Sequence, residues 1–102
     1  MRNCTFDEVL QEMFIERWLA PKSQSSYLGP VSYFQRYIGD HVLPSEVKRA
    51  DVMAWRAAIV QSGRNPSGIA ETSWNNYARH LKSVYRFGIS HELIPLNKSP
   101  FE

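Results

Sequence analysis

The segment from Thr72 to Ser90 has the residue types and the spacing of a helix that binds a polyanion. At 3.6 residues per turn, its apolar side chains fall on one face and its polar side chains on the opposite face. The polar face holds Asn75, Asn76, Arg79, Lys82, Ser83 and Arg86. Asn and Arg reach base edges in DNA grooves, whereas Lys, Arg and Ser reach phosphates. The pattern therefore favours contact with duplex DNA.

The lack of acidic residues distinguishes this segment from an ordinary solvated helix. Solvated helices usually alternate Lys and Arg with Glu and Asp, because opposite charges at i,i+4 stabilise a helix slightly. Residues 72–90 hold three Lys and Arg residues and no Asp or Glu. The rise from Arg79 to Arg86 is roughly 10 Å, comparable with the width of a DNA major groove. A solvated face that happens to lack acids is the alternative interpretation.

The distribution of charge supports the same half of the chain. The net charge of +2 is too small to indicate nucleic acid by itself. Residues 1–46 hold four Lys and Arg against six Asp and Glu, whereas residues 47–102 hold eight against four. The positive potential therefore lies in the second half, which contains the acid-free helix.

Length and composition predict one small cytoplasmic domain. The chain has 102 residues, of which 43% are hydrophobic and 13% aromatic, so it is long enough and apolar enough to fold. No apolar run reaches the length of a membrane span, and the first residues lack the apolar stretch of a signal peptide. The single cysteine, Cys4, excludes an internal disulfide and fits a reducing cytosol.

The sequence contains no recognisable motif for catalysis, a metal or a cofactor. It has no Gly-rich phosphate loop, no paired-cysteine metal motif and no nucleophile elbow. His41, His80 and His91 are scattered and have no local partner. We therefore expect that this chain alone catalyses no reaction and requires neither metal nor cofactor.

Two helices are predicted before the loop at Pro44. The first begins at a Thr5–Glu8 capping box and ends before Pro21. Its acidic side is expected to be solvated, with a subunit contact as the alternative. The second helix is predicted to start with Ser23 as its N-cap and to end at Ile38, with a kink or break at Gly29-Pro30.

The start of this second helix is predicted as another phosphate-binding element. Residues 22–26 are polar and carry no acid, and the N-terminus of a helix directs free amides outward. Lys22 and Ser26 are therefore additional candidate phosphate contacts.

Two more helices and a tail complete an all-α, four-helix domain. The third helix is predicted from about Arg49 to Gln61, and the fourth is capped by Ser73 or, with less support, by Thr72. Residues 1–94 are expected to form the domain and residues 95–102 an extended linker. Aromatic residues on the apolar stripes are predicted to be core residues: Trp18, Trp55, Trp74, Tyr77 and Tyr85.

Four local patterns, in this order, resemble the N-terminal core-binding (SAM-like) domain of the tyrosine recombinase, or phage integrase, family. They are Ser23, Tyr27, Val31, Phe34 and Ile38; then Val47–Ile59 with Asp51-Val52 and Trp55; then Ser73-Trp74-Asn75 with Leu81-Lys82 and Val84-Tyr85; and finally Leu93–Asn97 with Pro100. The sequence departs from the family pattern at Gly29-Pro30, at the bulky Trp74 and at Lys98-Ser99, which separates Asn97 from Pro100.

The resemblance implies a function as well as a fold. In this family the core-binding domain and a C-terminal catalytic domain form a clamp around duplex DNA at the crossover site. The second and fourth helices face the DNA, which points to Ser23, Asn75 and Lys82 here. The catalytic Arg, His, Arg and Tyr of the family lie in the C-terminal domain, beyond this chain. The implied partners are duplex DNA, that catalytic domain and other recombinase protomers, in DNA integration and recombination by a mobile element.

Two other functions remain as alternatives. A helical protein-interaction domain would use the acidic first helix or the aromatic stripe. A helix-turn-helix regulator would use the third and fourth helices, but its turn, residues 62–71, is much longer than the usual 3–4 residues.

Overall fold

The computed structural model describes residues 2–102, and within this range the chain is all-α. Helix α1 spans Phe6–Glu16, α2 spans Pro21–Ile38, α3 spans Arg49–Ile59 and α4 spans Glu71–Ser90, with a short 3-10 turn at Pro44–Glu46. An isolated parallel bridge between Val60 and Ile69 closes the loop between α3 and α4. The predicted all-α fold with four helices is confirmed. None of the described helices is both long and apolar enough to cross a membrane.

Helix α1 begins at the predicted capping box. The Glu8 amide donates to the Thr5 hydroxyl at 3.2 Å, and the Thr5 amide donates to the Glu8 carboxylate at 2.9 Å. These bonds satisfy amides that the first turn of a helix would otherwise leave unpaired. Because the bond from the Thr5 amide stabilises the charged carboxylate, the pKa of Glu8 lies below its usual range.

Helix α2 begins two residues before the predicted N-cap. Its N-cap is Ala20 and its first residue is Pro21, so the prediction that Ser23 caps the helix is wrong. Proline suits the first helical position for two reasons. Its ring fixes φ near the helical value, and the amide N–H that it lacks would have no partner within the helix there. The helix also continues through Pro30, so no break occurs at that position. Pro30 and Val31 are both buried, and burial of apolar surface at this position opposes the cost of the missing backbone hydrogen bond.

The apolar faces of α1, α2 and α4 meet in one aromatic core. Phe6 contacts Phe34 and Tyr85 edge to face, with ring centroids 6.1 and 5.9 Å apart. Trp55 of α3 packs against Phe34, at 4.9 Å between ring centroids. The buried Tyr85 hydroxyl donates to the Pro44 carbonyl at 2.8 Å, and burial raises the pKa of Tyr85.

Three of the five predicted core aromatics are buried, and Trp18 is not. Tyr77 is half-buried and contacts Tyr33. Trp18 is 92% exposed and has a φ of +51°, so its assignment to the core is wrong. Helix α1 ends at Glu16, and helical periodicity therefore no longer determines which way Trp18 faces.

The C-terminal tail differs from the extended linker that the sequence predicts. Residues 99–101 are buried, and the Phe101 ring packs against Phe34 and Tyr85 at 5.4 and 5.6 Å. The amides of Leu93 and Ile94 both donate to the Gly88 carbonyl, so the chain turns back at the end of α4. The apolar side chains of the tail therefore complete the core.

Candidate nucleic-acid interface

The fourth helix begins one turn earlier than a cap at Ser73 would allow. Its N-cap is Ala70 and its first residue is Glu71, so the cap predicted at Ser73 or Thr72 is wrong. The earlier start adds one carboxylate to a helix that the sequence predicts to be free of acids. Glu71 forms an ion pair with Arg56 of α3, at 3.0 Å. Its charge is therefore balanced by a neighbouring helix, at the far end of α4 from Arg86.

Helix α4 has the two faces that the sequence predicts. Leu81, Val84 and Tyr85 are fully buried on one face. At about 100° per residue, the opposite face carries the six candidate DNA contacts. Of these, Asn75, Asn76, Arg79 and Arg86 are exposed, whereas Lys82 and Ser83 are half-buried. We call these six residues the polar face of α4.

Arg79 lies in the middle of the polar face. Its guanidinium Nη2 donates to the side-chain oxygen of Asn76 at 3.1 Å. Within residues 2–102, no carboxylate forms an ion pair with Arg79. Arg79 and both asparagines also line a shallow surface recess of about 320 Å³, together with Thr72. This part of the face carries an unneutralised positive charge beside amide groups.

Lys82 and Arg86 both lie beside a carboxylate from the C-terminal tail. The expectation from the sequence that this surface is free of acids is therefore wrong. Lys82 Nζ lies 3.4 Å from the Glu102 carboxylate. Arg86 binds the same carboxylate through Nε at 3.0 Å and Nη2 at 3.3 Å. The bond from Arg86, followed by the contact with Lys82, lowers the pKa of Glu102. One carboxylate faces these two cations, so this end of the face retains net positive charge.

The second turn of α2 lies against the middle of α4. The Tyr27 ring of α2 contacts the His80 ring of α4, with centroids 5.0 Å apart. Ser26 directly precedes Tyr27, whereas Ser23 and Lys22 lie four and five residues before it, about one helical turn away. All three residues are exposed. The structure therefore places both predicted DNA-contacting elements on neighbouring helices.

The helical start at Pro21 changes the groups that this end of α2 can offer. Pro21 has no amide, and the Gln24 amide already donates to the Ala20 carbonyl. The amides of Lys22 and Ser23 remain in the first turn. The Ser26 hydroxyl donates to the Lys22 carbonyl at 3.4 Å, so it must exchange this bond to contact a phosphate.

Arg17 is a candidate contact that the sequence reasoning missed. Its Nη1 donates to the Ser83 hydroxyl at 3.4 Å, and its guanidinium lies 5.3 Å from the centre of the Phe87 ring. Arg17 is exposed and adds a cation at the edge of the polar face. It follows the acidic helix α1 in the chain, so no local pattern connects it with α4. Only the packing of α1 against α4 brings the two together.

No group of three or more metal-binding side chains occurs among residues 2–102. Two of the three histidines have partners inside the domain. His80 Nδ1 is bonded to the Asn76 carbonyl at 2.8 Å, and His91 lies 3.5 Å from Glu16. The polar face of α4 and the start of α2 are therefore the strongest candidate site in the described chain.

Comparison with known proteins finds relatives of the class that the sequence patterns resemble. The chain is 28% identical over 102 residues to a protein of Pseudomonas syringae that carries the provisional name tyrosine recombinase XerC. It is 23% identical over 90 residues to a Pseudomonas aeruginosa protein with the same provisional name. These alignments cover 100% and 88% of the chain. The resemblance to tyrosine recombinases is confirmed.

The chain spans only a fifth of the length of these relatives, 20% in each case. No protein-family model matches the chain, and no solved structure matches it. The similarity therefore covers about a fifth of each relative.

Proposed function

We propose that this chain is the core-binding domain of a site-specific tyrosine recombinase and that it grips duplex DNA at the crossover site. The observation that carries the proposal is the polar face of α4, a cationic and amide-bearing surface in a chain similar to recombinases. Arg79 contributes most directly, because it is exposed and no carboxylate of residues 2–102 neutralises it. An exposed helix face of this composition suits a DNA groove.

The residues divide into two roles by their chemistry. Arg79, Lys82 and Arg86 contact phosphates through charge, with Ser83 as a hydroxyl donor beside them. Asn75 reaches base edges, since a side-chain amide can donate and accept at once. Asn76 acts through Arg79, because its side-chain oxygen accepts a hydrogen bond from that guanidinium. The start of α2 supplies further phosphate contacts from Lys22, Ser23 and Ser26.

The affinity of this domain alone is expected to be low and steeply dependent on salt. Contacts with about four to six phosphates give a slope of log affinity against log salt of about −4 to −5. Binding from one side of a clamp places the dissociation constant near the nonspecific range of roughly 10⁻⁴ to 10⁻⁶ M at physiological salt. In the longer protein, a catalytic domain and other protomers on the same DNA would add to this grip and carry out strand exchange.

A protein-interaction function is the second candidate, and one observation favours it. Ile15 is 74% exposed and Trp18 is 92% exposed, and they form an apolar surface at the end of α1. Such a surface suits a protein partner. A helix-turn-helix function has less support, because Val60 to Ala70, including the Val60–Ile69 bridge, separate α3 from α4.

Fluorescence anisotropy with labelled duplex DNA over a range of salt concentrations tests the proposal. Recombinase-type DNA binding predicts micromolar or weaker affinity that falls steeply with added salt. The protein-interaction function predicts no salt-dependent binding to DNA at protein concentrations up to about 10⁻⁴ M, the weak end of the nonspecific range. That second result would remove DNA binding as the function of this domain.

A further inference from the structure

Glu102 lies where the polar face of α4 would be expected to hold a phosphate. Arg86 presents two adjacent N–H groups to its carboxylate, at 3.0 and 3.3 Å, and Lys82 Nζ approaches one oxygen at 3.4 Å. A guanidinium fork binds carboxylate and phosphate oxygens with the same two-point geometry. The carboxylate therefore marks a position at which two cations converge on one anion.

Neighbouring residues hold Glu102 in this position. Phe101 is buried against Phe34 and Tyr85, so the tail is anchored one residue before the carboxylate. The Glu102 carbonyl accepts a hydrogen bond from the Arg49 guanidinium of α3. The contact with Lys82 and Arg86 is thus built from three parts of the fold: α3, α4 and the tail.

The pair between the tail and α4 can be broken by a competing anion. The Arg86 side chain is 63% exposed and the Glu102 side chain 27%, so water and salt screen the attraction. Exposed pairs of this kind stabilise a protein only slightly. Beside Glu102, a surface recess of about 390 Å³ is lined by Arg86, Lys98 and Ser99 and gives an anion access to the guanidinium.

We propose that Lys82 and Arg86 form a phosphate-binding subsite and that Glu102 occupies it in the unbound chain, so that duplex DNA must displace Glu102. The inference rests on the proposed DNA-binding function and goes beyond it, because it assigns one phosphate to a named pair of cations and one residue to competition with it. Arg79, which has no such competitor among residues 2–102, binds its phosphate without an exchange. The polar face of α4 thus combines Arg79, which is directly available to DNA, with Lys82 and Arg86, which exchange the Glu102 carboxylate for a phosphate.

The test is a double-mutant cycle in the full 102-residue chain, with Glu102→Gln, Arg86→Gln and the combination of both. Binding to a labelled duplex at low salt is measured by anisotropy. Gln has the shape of Glu without its charge, so Glu102→Gln is expected to raise the DNA affinity by roughly three- to five-fold, the range of an exposed ion pair. In the Arg86→Gln background the same change is expected to raise affinity by less than about two-fold, because much of the competition is already lost.

Asp40→Asn is the matched control, since it removes one exposed negative charge from the loop after α2. It is expected to leave DNA affinity nearly unchanged. An equal gain from Asp40→Asn, or an equal gain from Glu102→Gln with and without Arg86, would mean that only general repulsion was relieved and would overturn the inference. Thermal melts of each variant confirm that the fold is intact.

The failure of this inference can be separated from failure of the proposed function. Salt-dependent binding by the unmodified chain, with no gain from Glu102→Gln, overturns the competition by Glu102 and leaves the DNA-binding function in place. No salt-dependent binding by any of the variants overturns both.

Discussion

The side-chain oxygen of Asn76 accepts a hydrogen bond from Arg79, at 3.1 Å, across one turn of the exposed face of α4. The bond holds a guanidinium that has no ion-pair partner within residues 2–102. An asparagine in this arrangement acts first on the orientation of its neighbour. Any contribution of Asn76 to DNA binding should therefore depend on Arg79.

A double-mutant cycle on this pair should show the dependence. Arg79→Ala is expected to weaken DNA binding by roughly five-fold at low salt and to reduce the salt slope by about 1, because one phosphate contact is lost. Asn76→Ala is expected to weaken binding by roughly two-fold. The double variant should bind no more weakly than Arg79→Ala alone. Fully additive losses in anisotropy measurements would show that Asn76 contacts DNA independently.

Arg17 offers a test of the contact that packing alone creates. Arg17→Ala is expected to weaken DNA binding on many sequences, since it removes a cation that lies beside Ser83. Arg2→Ala is the control, because Arg2 is already paired with Glu12 of α1 at 3.1 Å. Equal effects of the two substitutions on DNA affinity would exclude Arg17 from the interface.

The loop between α3 and α4 should tolerate a methyl group at one glycine and not at another. A Cβ at Gly68 would lie 2.6 Å from the Gln61 nitrogen and 2.7 Å from the Ile59 oxygen, both of them backbone atoms. Gly68→Ala is therefore expected to lower the free energy of unfolding by about 1–3 kcal/mol. A Cβ at Gly63 meets nothing within 4 Å, so Gly63→Ala should change the free energy of unfolding by less than about 0.5 kcal/mol.

Urea unfolding of both glycine variants checks this prediction. A similar loss of stability in both would show that the loss reflects general properties of the loop. It would contradict the close approach of residues 59–61 to Gly68.

The capping box of α1 should make stability depend on pH through Glu8. The pKa of Glu8 is lowered from the ordinary value of 4.5 by the bond from the Thr5 amide. Its stabilising effect is therefore complete above that ordinary value and is lost as pH falls through the lower pKa of the folded state. Glu8→Gln should lower the free energy of unfolding at pH 7 and approach the unmodified chain at pH 3. An equal difference at both pH values would exclude a contribution of the charged carboxylate.

Local patterns predicted much of the fold and of the candidate site. The capping box at Thr5, the two faces of α4 and the four-helix organisation follow from rules that act over one or two helical turns. The prediction of an N-cap at Ser23 is wrong because α2 already starts at Pro21. The prediction of Trp18 as a core residue is wrong because α1 ends before it. These errors fall at helix ends, where several start and stop signals compete.

The remaining features of the site depend on contacts between distant parts of the chain. Arg17 reaches Ser83 across 66 positions of sequence, and Glu102 reaches Arg86 across 16. Helical periodicity says nothing about either contact. The prolines of the tail predict an extended segment, yet the Phe101 ring packs into a core formed by residues much earlier in the sequence. Tertiary packing therefore determines which cations of the face are available.

The most direct test of the polar face of α4 is to titrate the labelled chain with duplex DNA and record backbone and side-chain NMR shifts. The largest changes are expected at Asn75, Arg79 and Arg86, with smaller ones at Ser23 in the first turn of α2. The acidic surface of α1 should stay unchanged. Shifts concentrated on α1 and Trp18, with none on the polar face, would contradict DNA binding through α4.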